Sequence, residues 1–445
     1  MAETAGAMRL IYNILFPLFF ALSAPFYFLK MWRRGDWRRG LGQRFGFYDA
    51  GTKSRLAGGR TLWLHAVSVG EVNLCVRLIS KLGPALPGWR FVTTTTTSTG
   101  MGELQRKLPP EVIKLYYPVD CFFTVRRALA AINPAALVLV EAEIWPNLLW
   151  RAQSLGLPLF LVNARVSEKS FGGYRRFGLL FRPLFHAFHG IGAQNEADAA
   201  RLRELGARTE AVTVTGNLKF DDAPGAGPRA LDAAALLEQL GVGPPARVLV
   251  AGSTHAGEEM LLAEQCCRLR PRFPDLFPVL VPRHFERAKA LAGQLRAAGL
   301  NYARRSELTP GMRPVPGTLD GLLVDTTGEL RSFYETATLV FVGKSLAARG
   351  GQNPIEPGAA GRAMIFGPHM ENFRAIAEDF VKSGGAVQVV DAAGLEQTLA
   401  DLLENKPRRD DLGRRALSVV RRNQGAVSRT ASLLQSHLAK HLVDT

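Results

Sequence analysis

The sequence predicts an α/β protein made of two doubly wound parallel-sheet domains, with one apolar helix ahead of them. Three observations carry that reading. From Thr61 onward, short apolar runs ending in polar loops alternate with amphipathic helical patterns, as a parallel sheet covered by helices requires. The pattern breaks at DAPGAGPRALDAAALLEQLGVGPPAR, rich in Ala, Gly and Pro, and restarts at RVLVAGSTHAGEEM. Before both lies an uncharged stretch of bilayer length. A chain of 445 residues also exceeds one comfortable core. The expected division is an anchor with its basic flank (1–35), an amino-terminal domain (36–222), a linker (223–246) and a carboxyl-terminal domain (247–445).

The first element runs between Arg9 and Lys30 as LIYNILFPLFFALSAPFYFL, about twenty residues and just enough to span a bilayer core. Asn13, Pro17, Ser23 and Pro25 weaken it as a straight span, so a helix lying in the interface stays open. A barely basic start and the lack of a small-residue cleavage site argue against a cleaved signal. Lys30, Arg33, Arg34, Arg38, Arg39 and Arg44 follow, opposed only by Asp36, whereas the other flank carries Glu3 and Arg9. That asymmetry puts the body on the cytoplasmic side of the membrane. Trp32 and Trp37 among these arginines suit an anionic headgroup layer.

In the body, TLWLHAVSVG reads as strand then loop, and EVNLCVRLISKL as a helix with Val72, Cys75, Val76, Ile79 and Leu82 on its apolar face. RFVTTTTTSTG, AALVLVEAEIW and LPLFLVNARVS follow as buried strands, and LFPVLVPRHFER, GLLVDTTGEL, LVFVGKSL and AMIFGPHM repeat the pattern in the second half. Ligands of such sheets collect at the carboxyl ends of strands, and two such domains facing one another make a cleft. The composition is 47% hydrophobic and 21% charged, that of a folded protein. A formal charge of +16 points to an anionic partner; no nucleic-acid-binding signature accompanies it, which leaves phosphate and membrane. Cys75, Cys121, Cys266 and Cys267 have no zinc-site spacing and read as reduced thiols, the last two inside a helix.

The chemistry should lie in the loops. Glu71 sits on the first turn of a helix after a strand, where the helix dipole favours the ionised form of a general base; acidic residues there also serve stability alone. Glu141 and Glu143 end a very apolar strand, a costly place for two carboxylates unless they are paired, solvated or functional. Lys219 and Arg283 follow strands in different halves and suit a departing phosphate. In GKSLAARGGQNPIEPGAAG, Gly350 and Gly351 permit close backbone approach, Asn353 can cap a helix, Pro354 suits its first turn and Glu356 falls at the capping-box position. Thr327, Gly328 and Glu329 form a second tight loop. No acidic cluster suited to a metal is evident.

In their order and spacing WLHAVSVGE, TTTTSTG, EAEIWPNLL, NARVSEKS, AQNEADAARL, VTGNLKFD, STHAGEE, VPRHFER, GGQNPIEP and IFGPHMENF resemble the Kdo (3-deoxy-D-manno-octulosonic acid) transferases of lipopolysaccharide synthesis, over nearly the whole chain. The resemblance implies a GT-B fold, two Rossmann-like domains facing a cleft, and an inverting transfer from CMP-Kdo to a lipid A precursor, lipid IVA, with no metal and no cofactor. It further implies Glu71 as the base, Glu141 and Lys219 as transition-state stabilisers, and a CMP site from Pro282, Arg283, Thr327, Gly328, Glu329, Asn353, Pro354, Ile355 and Glu356. Arg165, Lys169, Arg175 and Arg176, beside the apolar positions Phe177, Leu180, Phe181, Leu184 and Phe188, are expected to meet acceptor phosphates near the membrane. Lys344 stands where the family commonly has glycine, and Gln352 where histidine is frequent. The competing expectations are a membrane-associated GT-B enzyme using a UDP-sugar and an inactive membrane-tethered homologue.

Overall fold

Fourteen parallel strands form two sheets in the computed structural model, which describes residues 2–33, 39–222, 231–309, 311–315 and 317–443. The first sheet contains β1 (Arg60–His65), β2 (Trp89–Thr95), β3 (Ile113–Tyr116), β4 (Ala136–Val140), β5 (Leu159–Ala164), β6 (Gly190–Ala193) and β7 (Val212–Val214), in the order β3-β2-β1-β4-β5-β6-β7. The second contains β8 (Arg247–Thr254), β9 (Leu276–Pro282), β10 (Tyr302–Arg304), β11 (Gly321–Leu323), β12 (Leu339–Val342), β13 (Ala363–Phe366) and β14 (Ala386–Gln388), in the order β10-β11-β9-β8-β12-β13-β14. Strand order reverses at β1/β4 in the first sheet and at β8/β12 in the second, and such reversal points are where doubly wound sheets place ligands.

The near-continuous apolar runs follow from helices covering both faces. Leu62, Leu64, Val138, Val140, Phe160 and Val162 pack on one face of the first sheet, and Trp63, Leu137, Leu139 and Leu161 on the other, the two-residue alternation of a strand. The second sheet divides likewise, with Val248, Val250, Val340 and Val342 opposite Leu249, Ala251, Leu339 and Phe341. Fully burying each such side chain contributes about 1.5–3 kcal/mol.

The chain forms two compact units, one running to Lys219 and resuming at Gly425, the other spanning Phe220–Gln424. This differs from the expected division at two places. The helix Ala426–Val443, placed by sequence in the second domain, buries Leu434 and Leu438 against the face of the first sheet that holds Leu62 and Leu64. Its apolar stripe is visible in sequence, but which sheet receives it is not. Within the expected linker, Asp232 caps a helix Ala233–Gln239 that buries Leu236 and Leu237 in the second core; residues 223–230 lie outside the described residues.

The amino-terminal helix covers Ala2–Arg33 and contains Pro17 and Pro25. Its Met8–Phe26 stretch is long and apolar enough to cross a membrane by length and composition. Leu10, Ile14, Leu18, Leu22 and Phe26 form an exposed stripe, while Tyr12 packs against the core that covers the first sheet. Most of the basic flank (Lys30, Arg33, Arg34 and Arg38, with Trp32 and Trp37) lies outside the described side chains. Arg44, expected in that flank, belongs to the body: it donates to the Thr96 carbonyl at 2.8 Å and stacks 4.4 Å from the Tyr116 ring centroid.

Candidate active site

At the reversal point of the first sheet, β1 and β4 are neighbours; the helix start after β1 carries Glu71, and the turn after β4 carries Glu141 and Glu143. Glu71 is 8% exposed. Ser68 caps the helix Val69–Leu82 by accepting from the Glu71 amide, and its hydroxyl donates to Glu71 Oε1 at 2.7 Å. The Val67 amide donates to Glu71 Oε2 at 2.8 Å. The threonine run explains why that turn holds its shape: the hydroxyls of Thr95, Thr96 and Thr97 all donate to the Val67 carbonyl, at 3.2, 3.4 and 3.3 Å.

Burial raises the Glu71 carboxyl above the ordinary glutamate range; the Val67 and Ser68 donors oppose the rise and the Glu141 charge adds to it. Desolvation thus outweighs the two donors and opposes the ionised form that the helix start alone would favour. Burial, with Glu71 and Glu141 nearby, pushes Glu143 up to about 7, against the hydrogen bond from Trp145 Nε1 at 2.8 Å. His65, fully buried under Tyr117 with ring centroids 3.7 Å apart, is pushed down to about 3 by desolvation and is neutral at physiological pH.

Glu141 has φ 63°, in the left-handed region, at a cost of about 1–2 kcal/mol for a residue with a side chain. That backbone conformation accompanies an ion pair between Glu141 Oε1 and Lys219 Nζ at 3.1 Å. Sequence reasoning missed what holds Lys219. Its amide donates to Asn217 Oδ1, Asn217 donates to Gln194 Oε1, and Gln194 donates to the Asn163 carbonyl, each at 3.0 Å. Asn163 Oδ1 accepts from the Leu218 amide at 3.0 Å, and its own side-chain amide lies 3.4 Å from Glu141 Oε1. The signal was an amide side chain recurring at the carboxyl ends of β5, β6 and β7: Asn163 near the end of β5, Gln194 and Asn217 after the next two strands.

Among the expected acceptor cations, Lys169, Arg175 and Arg176 lie on the helix Glu168–Arg176, which has no buried residue and is capped by Ser167. Arg175 faces Glu204 at 3.7 Å. Arg165 is half-buried, and its charge acts on Asp198. The same helix turns Tyr174 inward against Phe181 and Phe185, and the Glu143 charge helps burial raise that phenol. Of the apolar positions beyond it, Leu184 and Phe188 are core and Phe177 is exposed.

The second unit brings its expected residues to the same end of its own sheet. Pro282 ends β9, and the Arg283 amide donates to the Thr254 carbonyl at 3.0 Å. Gly328 has φ 86°, so its turn needs glycine. Beside Thr327, Glu329 pairs with Arg305 at 3.1 Å and accepts from Thr326. The helix at the Asn-Pro motif is Ile355–Ala359, preceded by Pro354, so Pro354 stands before the first turn that it was expected to occupy. Asn353 Oδ1 accepts from the Ile355 amide at 3.1 Å, and its side-chain amide donates to Glu356 Oε1 at 3.3 Å. Burial raises Glu356, opposed by Asn353 and the nearby charges of Arg283 and Arg331. Gly351 has φ 73°, and a Cβ there would meet Met370 Sδ at 2.6 Å.

Sequence reasoning also missed Glu258. Wholly buried at the start of the helix after β8, it accepts from the His255 amide at 2.9 Å and from the Lys344, Ser345 and Leu346 amides at 2.7, 2.9 and 3.0 Å. It thereby fixes the loop after β12. Lys344, flagged as replacing a glycine, has φ 57°, the conformation that glycine adopts freely. Among the described residues, no group of three His, Cys, Asp or Glu side chains could hold a metal ion.

Residues 39–222 match the family model described as 3-deoxy-D-manno-octulosonic-acid transferase (kdotransferase). The chain is 37% identical over 432 residues to the 3-deoxy-D-manno-octulosonic acid transferase of Bordetella pertussis, covering 93% of this chain and 97% of that one. It is 30% identical over 410 residues to that of Haemophilus influenzae, covering 91% and 93%. Among solved structures it resembles the UDP-GlcNAc 2-epimerase of Neisseria meningitidis, with a TM-score of 0.53 at 12% identity over 86% of this chain and 100% of that one. It also resembles Anabaena HepE, with a TM-score of 0.51 at 14% identity over 87% and 100%. The two structural likenesses show the fold: two Rossmann-like domains of the GT-B type.

Proposed function

The chain belongs to the Kdo transferase family of lipopolysaccharide biosynthesis, and from that premise we propose that it transfers Kdo from CMP-Kdo to lipid IVA, without a metal, at the cytoplasmic face of the inner membrane. The observation that carries this reading is the convergence of Glu71, Glu141 and Lys219 at the β1/β4 reversal point. Glu71 takes the proton from an acceptor hydroxyl as that oxygen attacks the anomeric carbon, and CMP leaves in a single displacement with inversion. A carboxylate raised by burial is a stronger base than an exposed one, and the Val67 and Ser68 donors supply the ionised fraction that it needs. Lys219, paired with Glu141 and braced by Asn163, Gln194 and Asn217, offers a fixed cation for charge that develops in the transition state.

In the second unit, Pro282, Arg283, the Thr327–Glu329 turn and the Asn353–Glu356 segment hold CMP, with Arg283 on its phosphate and Glu356 on a ribose hydroxyl. Lys169, Arg175 and Arg176 suit the acceptor phosphates, and the exposed stripe of the amino-terminal helix suits the lipid surface that carries the acceptor. The test is incubation with CMP-Kdo and lipid IVA, with products weighed by mass spectrometry. A mass increase of one or more Kdo units is expected, and its absence overturns the proposal. Thermal stabilisation by CMP and not by UDP is expected alongside, since a ligand raises the melting temperature only by binding the folded state; the reverse preference would point to a UDP-sugar donor.

A further inference from the structure

An apolar helix that served only as a tether would have no use for polar contacts with the body, yet this one makes several near its start. The Tyr12 hydroxyl donates to Asp120 Oδ2 at 2.9 Å, and Asn13 Oδ1 accepts from Asn147 Nδ2 at 3.1 Å. Tyr12 also meets Trp150 edge-on at 5.6 Å between centroids, and Arg9 lies 5.3 Å from the Trp150 ring centroid. Asp120 is 1% exposed, so its carboxylate needs donors. Besides Tyr12 these are the amides of Asn147 and Leu148 at 3.0 and 2.9 Å, in the first turn of the helix Pro146–Ser154. Asn147 Nδ2 donates as well to the Asp120 carbonyl at 2.7 Å. Immediately before that helix stand Glu141, Glu143 and Trp145, whose indole holds Glu143.

We propose that Tyr12 and Asn13 are positioning residues for sugar transfer: through Asp120 and Asn147 they fix the start of the Pro146 helix and so the turn that presents Glu141 and Glu143. The inference rests on the catalytic reading of that turn given above. The lipid-facing helix is then a working part of the acceptor-side site as well as its mount.

The test uses the full chain in detergent micelles with CMP-Kdo and lipid IVA. Tyr12→Phe keeps the ring on Trp150 and removes only the hydroxyl; Asn13→Ala leaves every Asp120 donor in place and gives a second reading should the first variant fail to fold. For each, kcat is expected to fall about 10- to 100-fold, since a 1 Å misplacement of reacting groups can cost about 10²-fold, with KM for CMP-Kdo unchanged. Co-sedimentation with phosphatidylglycerol vesicles should hold at the wild-type level, and amide exchange across residues 141–148 should quicken while the helix Val69–Leu82 keeps its protection. Unchanged kcat overturns the proposal, as does a fall in kcat that tracks lost vesicle binding with exchange unaltered. Glu141→Gln run in parallel separates the two layers. Turnover retained in that variant defeats the catalytic reading of the turn itself, whereas an inactive Glu141→Gln beside fully active Tyr12→Phe and Asn13→Ala defeats the positioning role alone.

Discussion

The two sheets place a glutamate at the same topological position, and they use it in opposite ways. Glu71 follows β1 and Glu258 follows β8, each at the start of the helix that leaves the strand beside the order reversal. Glu258 is saturated by four backbone amides, three of them from the loop after β12, so it acts as a brace. Glu71 is held by one amide and one hydroxyl beside two further carboxylates, and its carboxyl is raised. What turns a helix-start carboxylate into a candidate base is the set of donors it lacks, a property of the neighbouring strand's loop.

Replacing the carboxylate at each of the two positions should produce different kinds of loss. Glu71→Gln is expected to lower transfer by about 10²–10⁴-fold while CMP still stabilises the protein, as read by initial rates and thermal shift; near-normal turnover would remove Glu71 from the role. Glu258→Ala leaves buried amides without an acceptor and should cost about 3–5 kcal/mol in urea unfolding, and a loss under 1 kcal/mol would contradict its role as a brace.

A smaller effect separates the sites by pH. Because Glu143 is raised from 4.5 to about 7 in the folded state, its contribution to stability is fully present below pH 4.5 and is lost as pH rises through 7. The loss amounts to about 3 kcal/mol. Glu143→Gln, which can still accept from Trp145, should flatten that part of the stability curve between pH 4.5 and 8. An unchanged slope in urea titrations would show that the charge is relieved some other way. Smallest is Lys344→Gly, which removes the left-handed strain after β12 and should stabilise the second unit by about 1 kcal/mol, with destabilisation as the contrary result.

The sequence carried the sheets and the charged ends of their strands because parallel strands are written as unbroken apolar runs, and Glu71, Glu141, Lys219 and Arg283 interrupt those runs at their ends. It did not carry the state of those groups. Whether a carboxylate is saturated, as Glu258 is, or pressed by its neighbours, as Glu143 is, depends on loops that are distant in sequence. The recurrence of Asn163, Gln194 and Asn217 at strand ends is readable, but that they bond into one chain is not, for the same reason. Arg44 looked like part of a membrane flank because charge counts do not reveal a carbonyl acceptor 52 residues away.

The helix Ala426–Val443 has a bearing on how the molecule is made. The chain leaves the first unit after Lys219, builds the whole of the second, and returns at Gly425 to seal the first sheet with Leu434 and Leu438. During synthesis, where domains tend to form as they emerge, the amino-terminal unit must wait with part of one apolar face, beside the helix Val69–Leu82, open until the rest of the protein has left the ribosome. The unit translated first is completed last, and an interrupted chain exposes that face to aggregation and proteolysis even though both sheets of the fold have been made.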